Sequence, residues 1–282
     1  MSAVSPPYPI SVDSIEELRP FPAAARQVME ACEREDVHAG QVAEIISHAP
    51  ALSLKILRVA NSPLYGFSGE IRSIDHAAVV LGLRKVKELA ISAAVGEVFG
   101  EGNAGTSRIR NKLWQHSLAT GCFARMLTKY EDSVPPDEAF MAGLVHDVGK
   151  LVLFDHHPME YASLIGHGLQ STVEKEVENF GLDHAEIGQR CGENWGLPFE
   201  IHEAICFHHR PSDSMDCEPL VRVVAAANVL TRIWLSERLT AQAKHDMSEV
   251  VEALDIDVNP EEIEDARESS IEELNAAINA FT

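Results

Sequence analysis

Residues 141–154, MAGLVHDVGKLVLF, have the apolar spacing of a buried helix, yet carry an adjacent His146–Asp147 pair at their centre. An ionised carboxylate taken into a core costs on the order of several kcal/mol unless it is paired or coordinates a metal. Any fold this chain adopts must therefore bring partners to Asp147. Helical spacing supplies candidates. Leu144, Asp147 and Leu151 share one face, and Leu113, His116, Thr120 and Leu127 share a second. His184, Ile187, Gly188, Cys191 and Trp195 form a third, and Ile201, Ile205 and His208 a fourth. Val224, Asn228, Thr231 and Leu235 form a fifth. Each face directs a polar group at the expected core.

A lone histidine on an apolar face is ordinarily a hydrogen-bonded core residue. Recurrence on successive helices adds a shared metal site to the possible readings, and imidazole with carboxylate suits iron, zinc, manganese or nickel. Spacing alone leaves both readings open. The remaining histidines, His38, His48, His76, His167, His202 and His245, show no such pattern and read as surface or structural. His156 and His157, just before Pro158, read as a solvated loop. The run GLVHDVGK resembles a phosphate loop only superficially. It has five residues between its glycines, Leu151 after the lysine, and no strand before it.

Helical periodicity runs through the whole chain and alternating strand patterns are absent, so the fold class expected is all-α. Punctuation marks the helices. Asp13 or Ser14 can cap a helix to about Arg19, Pro22 and Pro50 suit first helical turns, and Ser73 can cap IDHAAVVLGL. Asp183 with Glu186 three residues on forms a capping box. Gly196 suits the helix C-terminus and Pro198 the next start. In the acidic tail, Ile271, Leu274, Ile278 and Phe281 keep an apolar stripe. The glycine-rich stretch 100–107, GEGNAGTS, is the best boundary, separating an N-terminal helical subdomain (1–100) from a second (108–282).

The 44 acidic and 23 basic residues give a net charge of −21. Phosphate backbones require basic patches, so nucleic acid is not an expected partner. An acidic surface also disfavours anionic lipid, and no apolar run approaches the roughly 20 residues of a membrane span. The first cationic side chain is Arg19, so the N-terminus lacks the basic start of a secretory signal. Five cysteines without a CxxC pair read as buried thiols. The expectation is a cytoplasmic protein.

Taken in order, His116, His146-Asp147 followed by Val-Gly-Lys, His184 and His208-His209 resemble the metal-dependent phosphohydrolases of the HD superfamily. The whole chain is more similar to the HDOD (HD-related output domain) proteins of bacterial signalling. LRPFPAAARQVME, APALSLKILRVANSPLYG and IRSIDHAAVVLGLRKVKELAI carry the likeness in the first half. AFMAGLVHDVGKLVL, GLDHAEIGQRCGENWGLP and ICFHHRP carry it in the second, so that it runs from about Leu18 to Leu235.

The resemblance implies an HD-like multi-helix bundle with the N-terminal subdomain packed against it. It implies one or two divalent ions, one on His116, His146 and Asp147, with Asp147 bridging to another on His184, His208 and His209. Asp147 and Lys150 would be the catalytic residues of an active phosphohydrolase, Lys150 as a phosphate contact or as a donor to a metal ligand, against the plainer reading of a solvated helix end. The family usually closes the first ion site with a later aspartate, and the corresponding position here is Asn228, a weaker ligand. The extension typical of cyclic dinucleotide phosphodiesterases is missing, since RPSDS follows His209. Two functions follow from the resemblance: an output module acting through a signalling protein partner, or a hydrolase of a nucleotide, cyclic dinucleotide or other phosphate ester.

Overall fold

A computed structural model describes residues 6–11, 21–32, 34, 36–62, 69–100, 106–166, 172–235, 250, 252 and 260–281. The regular elements among them are helices, and no strand occurs among the described residues. None of these helices is long and apolar enough to cross a membrane. The cap expected at Asp13 or Ser14, His167 and His245 lie outside the described residues. None of the five cysteines forms a disulfide.

The chain divides into two compact units, one of Arg19–Glu101 with Ser269–Thr282, the other of Met1–Leu18 with Gly102–Glu268. In the first, α1 (Ala23–Cys32), α2 (Ala39–Ser47), α3 (Pro50–Ala60) and α4 (Ile74–Leu81) surround α5 (Leu83–Gly100). The α5 residues Val86, Leu89–Val95, Val98 and Phe99 are buried, which is the all-round burial of a central helix. Pro50 opens α3, and the Ser73 hydroxyl accepts from the His76 amide at 3.1 Å to cap α4. The Asn61 side chain bonds both the N–H and the C=O of Ile71, at 2.7 and 2.8 Å. It thereby ties together the two ends of the connector between α3 and α4.

The second unit contains α6 (Ser107–Leu127), α7 (Pro136–Val145), α8 (Val148–His156), α9 (Pro158–Ile165), α10 (Val173–Phe180), α11 (His184–Trp195), α12 (Phe199–Phe207) and α13 (Glu218–Leu235). Helix α6 packs on α7 and α13, and α11 packs on α8 and α12. The expected capping box is formed: the Asp183 carboxylate accepts from the Glu186 amide at 2.8 Å, and Glu186 reaches back to the Asp183 amide at 3.4 Å. Gly196 ends α11 with φ 70°. The last helix is α14 (Pro260–Phe281), where Leu274 is buried and Ile271 and Ile278 are half-buried.

Two glycine contacts set how near these helices come. A Cβ on Gly143 would lie 2.8 Å from the Thr120 carbonyl oxygen and 2.9 Å from the Gly121 backbone. A Cβ on Gly149 would lie 1.9 Å from the His184 carbonyl oxygen. The backbones of α6 and α7, and of α8 and α11, therefore touch directly. Alanine normally improves a helix by about 1 kcal/mol over glycine, whereas forced overpacking costs roughly 1–3 kcal/mol. Backbone atoms cannot rotate out of the way, so the clash decides the sign. Gly143→Ala should lower the melting temperature by a few degrees, read by circular dichroism. Gly100→Ala, where an added Cβ meets nothing within 4 Å, should leave it level or raise it.

Candidate metal centre

The apolar stretch around His146 and Asp147 does not form one helix. It breaks into α7 and α8, with His146 closing the first and Asp147 (φ −103°, ψ 14°) opening the second. Leu144, Asp147 and Leu151 therefore do not share one helical face, as the spacing had suggested. The Lys150 amide bonds the Asp147 carbonyl at 2.9 Å, a tight turn into α8. The break sets the carboxylate at a helix N-terminus, where backbone N–H groups favour negative charge. Asp147 is 2% exposed.

The two carboxylate oxygens face different partners. Oδ2 lies 3.2 Å from His116 Nε2, 3.3 Å from His146 Nε2 and 2.7 Å from Lys150 Nζ. Oδ1 lies 3.3 Å from His184 Nε2 and 3.6 Å from His208 Nε2. His184 Nε2 is in turn 2.9 Å from His209 Nε2. Helix α6 supplies His116, and the junction of α7 and α8 supplies His146, Asp147 and Lys150. The first residue of α11 is His184, and the end of α12 supplies His208 and His209. Six of these seven side chains are buried, and His209 sits at the solvent-facing rim.

The opposite ring nitrogens are already committed. Nδ1 of His146 bonds the Gly143 carbonyl at 2.7 Å, and Nδ1 of His208 bonds the Ile205 carbonyl at 2.8 Å. A carbonyl only accepts, so both Nδ1 atoms carry hydrogen and both Nε2 atoms present lone pairs when the rings are neutral. Nε2 of His116, His146 and His208 and Oδ1 of Asp147 are buried without a hydrogen-bond partner. Buried acceptors facing acceptors are unfavourable unless a cation lies among them. The donor atoms fall into two groups that share Asp147: His116, His146 and Asp147, and Asp147, His184, His208 and His209. This imidazole-and-carboxylate set fits one or two divalent transition ions.

The electrostatics agree with that chemistry. Burial raises the Asp147 pKa, but His146, Lys150 and His116 beside it outweigh burial and hold it well below the usual carboxylate range. Burial lowers His116 and His146, and lowers His208 to about 4, so these rings are neutral at pH 7, the form that can ligate a metal. His184 differs. Burial opposes its charge, but the Glu176 carboxylate more than compensates and raises it to about 9.

Glu176 had no signal in the sequence. The helix α10, VEKEVENF, reads as a solvated acidic surface, yet Glu176 is fully buried while Val177 is 43% exposed. Its Oε2 lies 2.5 Å from His184 Nδ1, and its Oε1 accepts from the Tyr161 hydroxyl at 2.9 Å. Asn228 is buried on α13, one turn before Thr231, whose hydroxyl is bonded by that of Thr120 at 3.0 Å. Among the described residues no hydrogen bond joins the Asn228 amide to the cluster. His156 is the last residue of α8 rather than part of a loop, and His157 is half-buried and stacks on Phe180 with ring centroids 5.3 Å apart. His38 and His48 flank α2, exposed.

Comparison with known proteins gives three kinds of match. The family model described as HDOD domain matches residues 18–211. The crystal structure of a "putative phosphohydrolase" from Shewanella amazonensis SB2B superposes with a TM-score of 0.78 at 22% identity, covering 96% of this chain and 97% of that one. That of an HDOD domain protein with unknown function from Geobacter sulfurreducens gives 0.75 at 24% identity, covering 96% and 95%. An uncharacterized protein of Treponema pallidum (strain Nichols) is 28% identical over 229 residues. That is 78% of this chain and 43% of the relative, so the chain spans less than half of its length.

The His184 geometry has a pH signature. Its pKa is raised above the unfolded value of 6.5, so its contribution to stability is complete below pH 6.5 and is lost as pH rises through about 9. The melting temperature of the metal-free protein should fall between pH 7 and 9.5. A level profile across that window would contradict the Glu176–His184 pairing.

Proposed function

This chain belongs to the HDOD family, and from that membership we propose that it is a signal-transduction output module holding a divalent-metal centre at Asp147 and acting through a protein partner. The observation that carries the metal centre is the convergence of the buried, partnerless Nε2 atoms of His116, His146 and His208 on the two oxygens of one buried aspartate. His116 and His146 would hold one ion with Oδ2, and His184, His208 and His209 another with Oδ1. The ligands come from the ends of α7, α8, α11 and α12 and from the body of α6. Occupancy would therefore couple to how these helices are held. An ion that binds only the folded state adds about 2.7 kcal/mol at a hundred times its dissociation constant. A buried, multi-helix clamp of this kind suits a module whose output is a surface presented to a signalling protein.

One observation favours a second reading, a metal-dependent phosphohydrolase. Lys150 is 6% exposed and places its ammonium 2.7 Å from Oδ2 of the carboxylate shared by both ligand groups. Ions held there would supply Lewis-acid chemistry, lowering the pKa of water and neutralising phosphate charge. Asp147 would orient the two ligand groups, and Lys150 would turn from Asp147 to a phosphate oxygen. The resemblance between the chain and HD hydrolases puts Asn228 where those enzymes carry an acid, which weakens the Oδ2 side.

Protein purified anaerobically with metal supplementation should hold one to two equivalents of iron, manganese or zinc by elemental analysis. Asp147→Ala should lose them, since it removes an oxygen from each half. A screen of phosphomonoesters and phosphodiesters with Mn2+ separates the readings. Turnover that disappears in Asp147→Ala, and falls by roughly 10²-fold in Lys150→Met, would establish the hydrolase. Metal without turnover supports the output module, and protein that takes up no metal overturns both.

A further inference from the structure

Glu176 does more than fill a gap between helices. Both of its carboxylate oxygens are engaged: Oε2 accepts from the His184 backbone N–H at 2.9 Å and lies 2.5 Å from His184 Nδ1, and Oε1 accepts from the Tyr161 hydroxyl at 2.9 Å. Glu176, His184 and Tyr161 are all fully buried. One oxygen thus grips both the main chain and the ring of His184. The two bonds together fix the ring orientation, and the acceptor fixes the hydrogen on Nδ1. His184 Nε2 is thereby directed at Asp147 Oδ1 and His209 Nε2, and gives up its proton where a cation takes its place.

The other two committed rings, His146 and His208, are held by neutral backbone carbonyls. A carboxylate in that position makes an imidazole a better ligand than a carbonyl does, because it supports positive charge drawn onto the ring by a bound cation. The close approach of Gly149 to the His184 carbonyl holds the same residue from its other side.

We infer that Glu176 is a positioning residue that makes the His184, His208 and His209 side of the cluster the tighter of two divalent-ion sites. The inference rests on the metal reading of the Asp147 cluster.

The test titrates wild-type protein, Glu176→Gln and Tyr161→Phe with Mn2+ by calorimetry, beside NMR of the histidine side-chain nitrogens in the metal-free state. Glu176→Gln keeps the size of the side chain and removes its charge. It should weaken the tighter Mn2+ site by about 10–100-fold, leave any weaker site unchanged, and shift the Nδ1 resonance of His184, whose carboxylate partner is gone. Circular dichroism reports whether the variant folds. Wild-type protein that binds no Mn2+ overturns the metal reading and this inference with it. Wild-type protein that binds Mn2+ while Glu176→Gln binds it within about twofold overturns the role of Glu176 alone. Should Glu176→Gln fail to fold, Tyr161→Phe, which keeps the carboxylate and removes one of its donors, should weaken the same site several-fold. Unchanged affinity in Tyr161→Phe would then overturn the inference.

Discussion

A single buried carboxylate organises the larger unit. Asp147 is almost wholly withdrawn from water, and a charge in that position persists only if the surroundings answer it. The fold answers at three ranges. Asp147 opens α8, where the helix dipole favours negative charge although its side chain accepts no backbone hydrogen bond from the first turn. Lys150 follows within that turn and contacts Oδ2 directly. Four histidines from α6, α7, α11 and α12 then surround the two oxygens. The Glu176 carboxylate raises His184 to about 9, so that ring is charged at pH 7. Three rings are neutral at pH 7 and present lone pairs, so the set has the character of a ligand shell more than that of an ion pair.

That arrangement depends on helices approaching more closely than ordinary side chains allow. Gly143 against Thr120 and Gly121 brings the end of α7, and with it His146, to the level of His116. Gly149 against His184 seats the first turn of α8 on the start of α11, which puts Asp147 Oδ1 within reach of His184 Nε2. Each glycine weakens its helix by roughly 1 kcal/mol relative to alanine. What it contributes is distance: an added methyl would separate backbones that now touch, and a ligand displaced by 1 Å is no longer a ligand. The Gly-Lys pair after His-Asp is therefore one device, in which the glycine sets the approach and the lysine answers the charge.

Much of this is legible in the sequence. The all-α class followed from periodicity, and Ser73, Pro50, Asp183–Glu186 and Gly196 marked helix ends because capping chemistry is local. His116, His184 and His208 could be placed on inward faces, since each lies within or just beyond a helix whose apolar stripe is clear. The junction at His146–Asp147 was not legible. The apolar run is continuous across it, and periodicity reports faces without reporting bends. Glu176 was illegible for a different reason. Its helix buries a glutamate and exposes Val177, the reverse of what hydropathy ranks. The reason lies in the Tyr161 hydroxyl from α9 and the His184 ring from α11, which no spacing within α10 can announce.

The two halves of the cluster are unequal, and the inequality bears on function. On the Oδ1 side stand three histidines, one of them backed by a buried carboxylate. On the Oδ2 side stand two histidines, with the lysine ammonium already on the oxygen. Asn228, whose position the family resemblance would fill with an acid, brings no charge there. A cation entering the Oδ2 side would have to displace or share with Lys150, at a carboxylate whose charge the ammonium already offsets. A cation entering the Oδ1 side meets no ammonium and displaces only the proton on His184 Nε2. Such a centre favours filling one side first, and chemistry that requires two ions would wait on a ligand able to draw Lys150 away. A phosphate group has the charge to compete with Asp147 for the Lys150 ammonium. Lys150 is therefore the group on which the two proposed readings, output module and hydrolase, part.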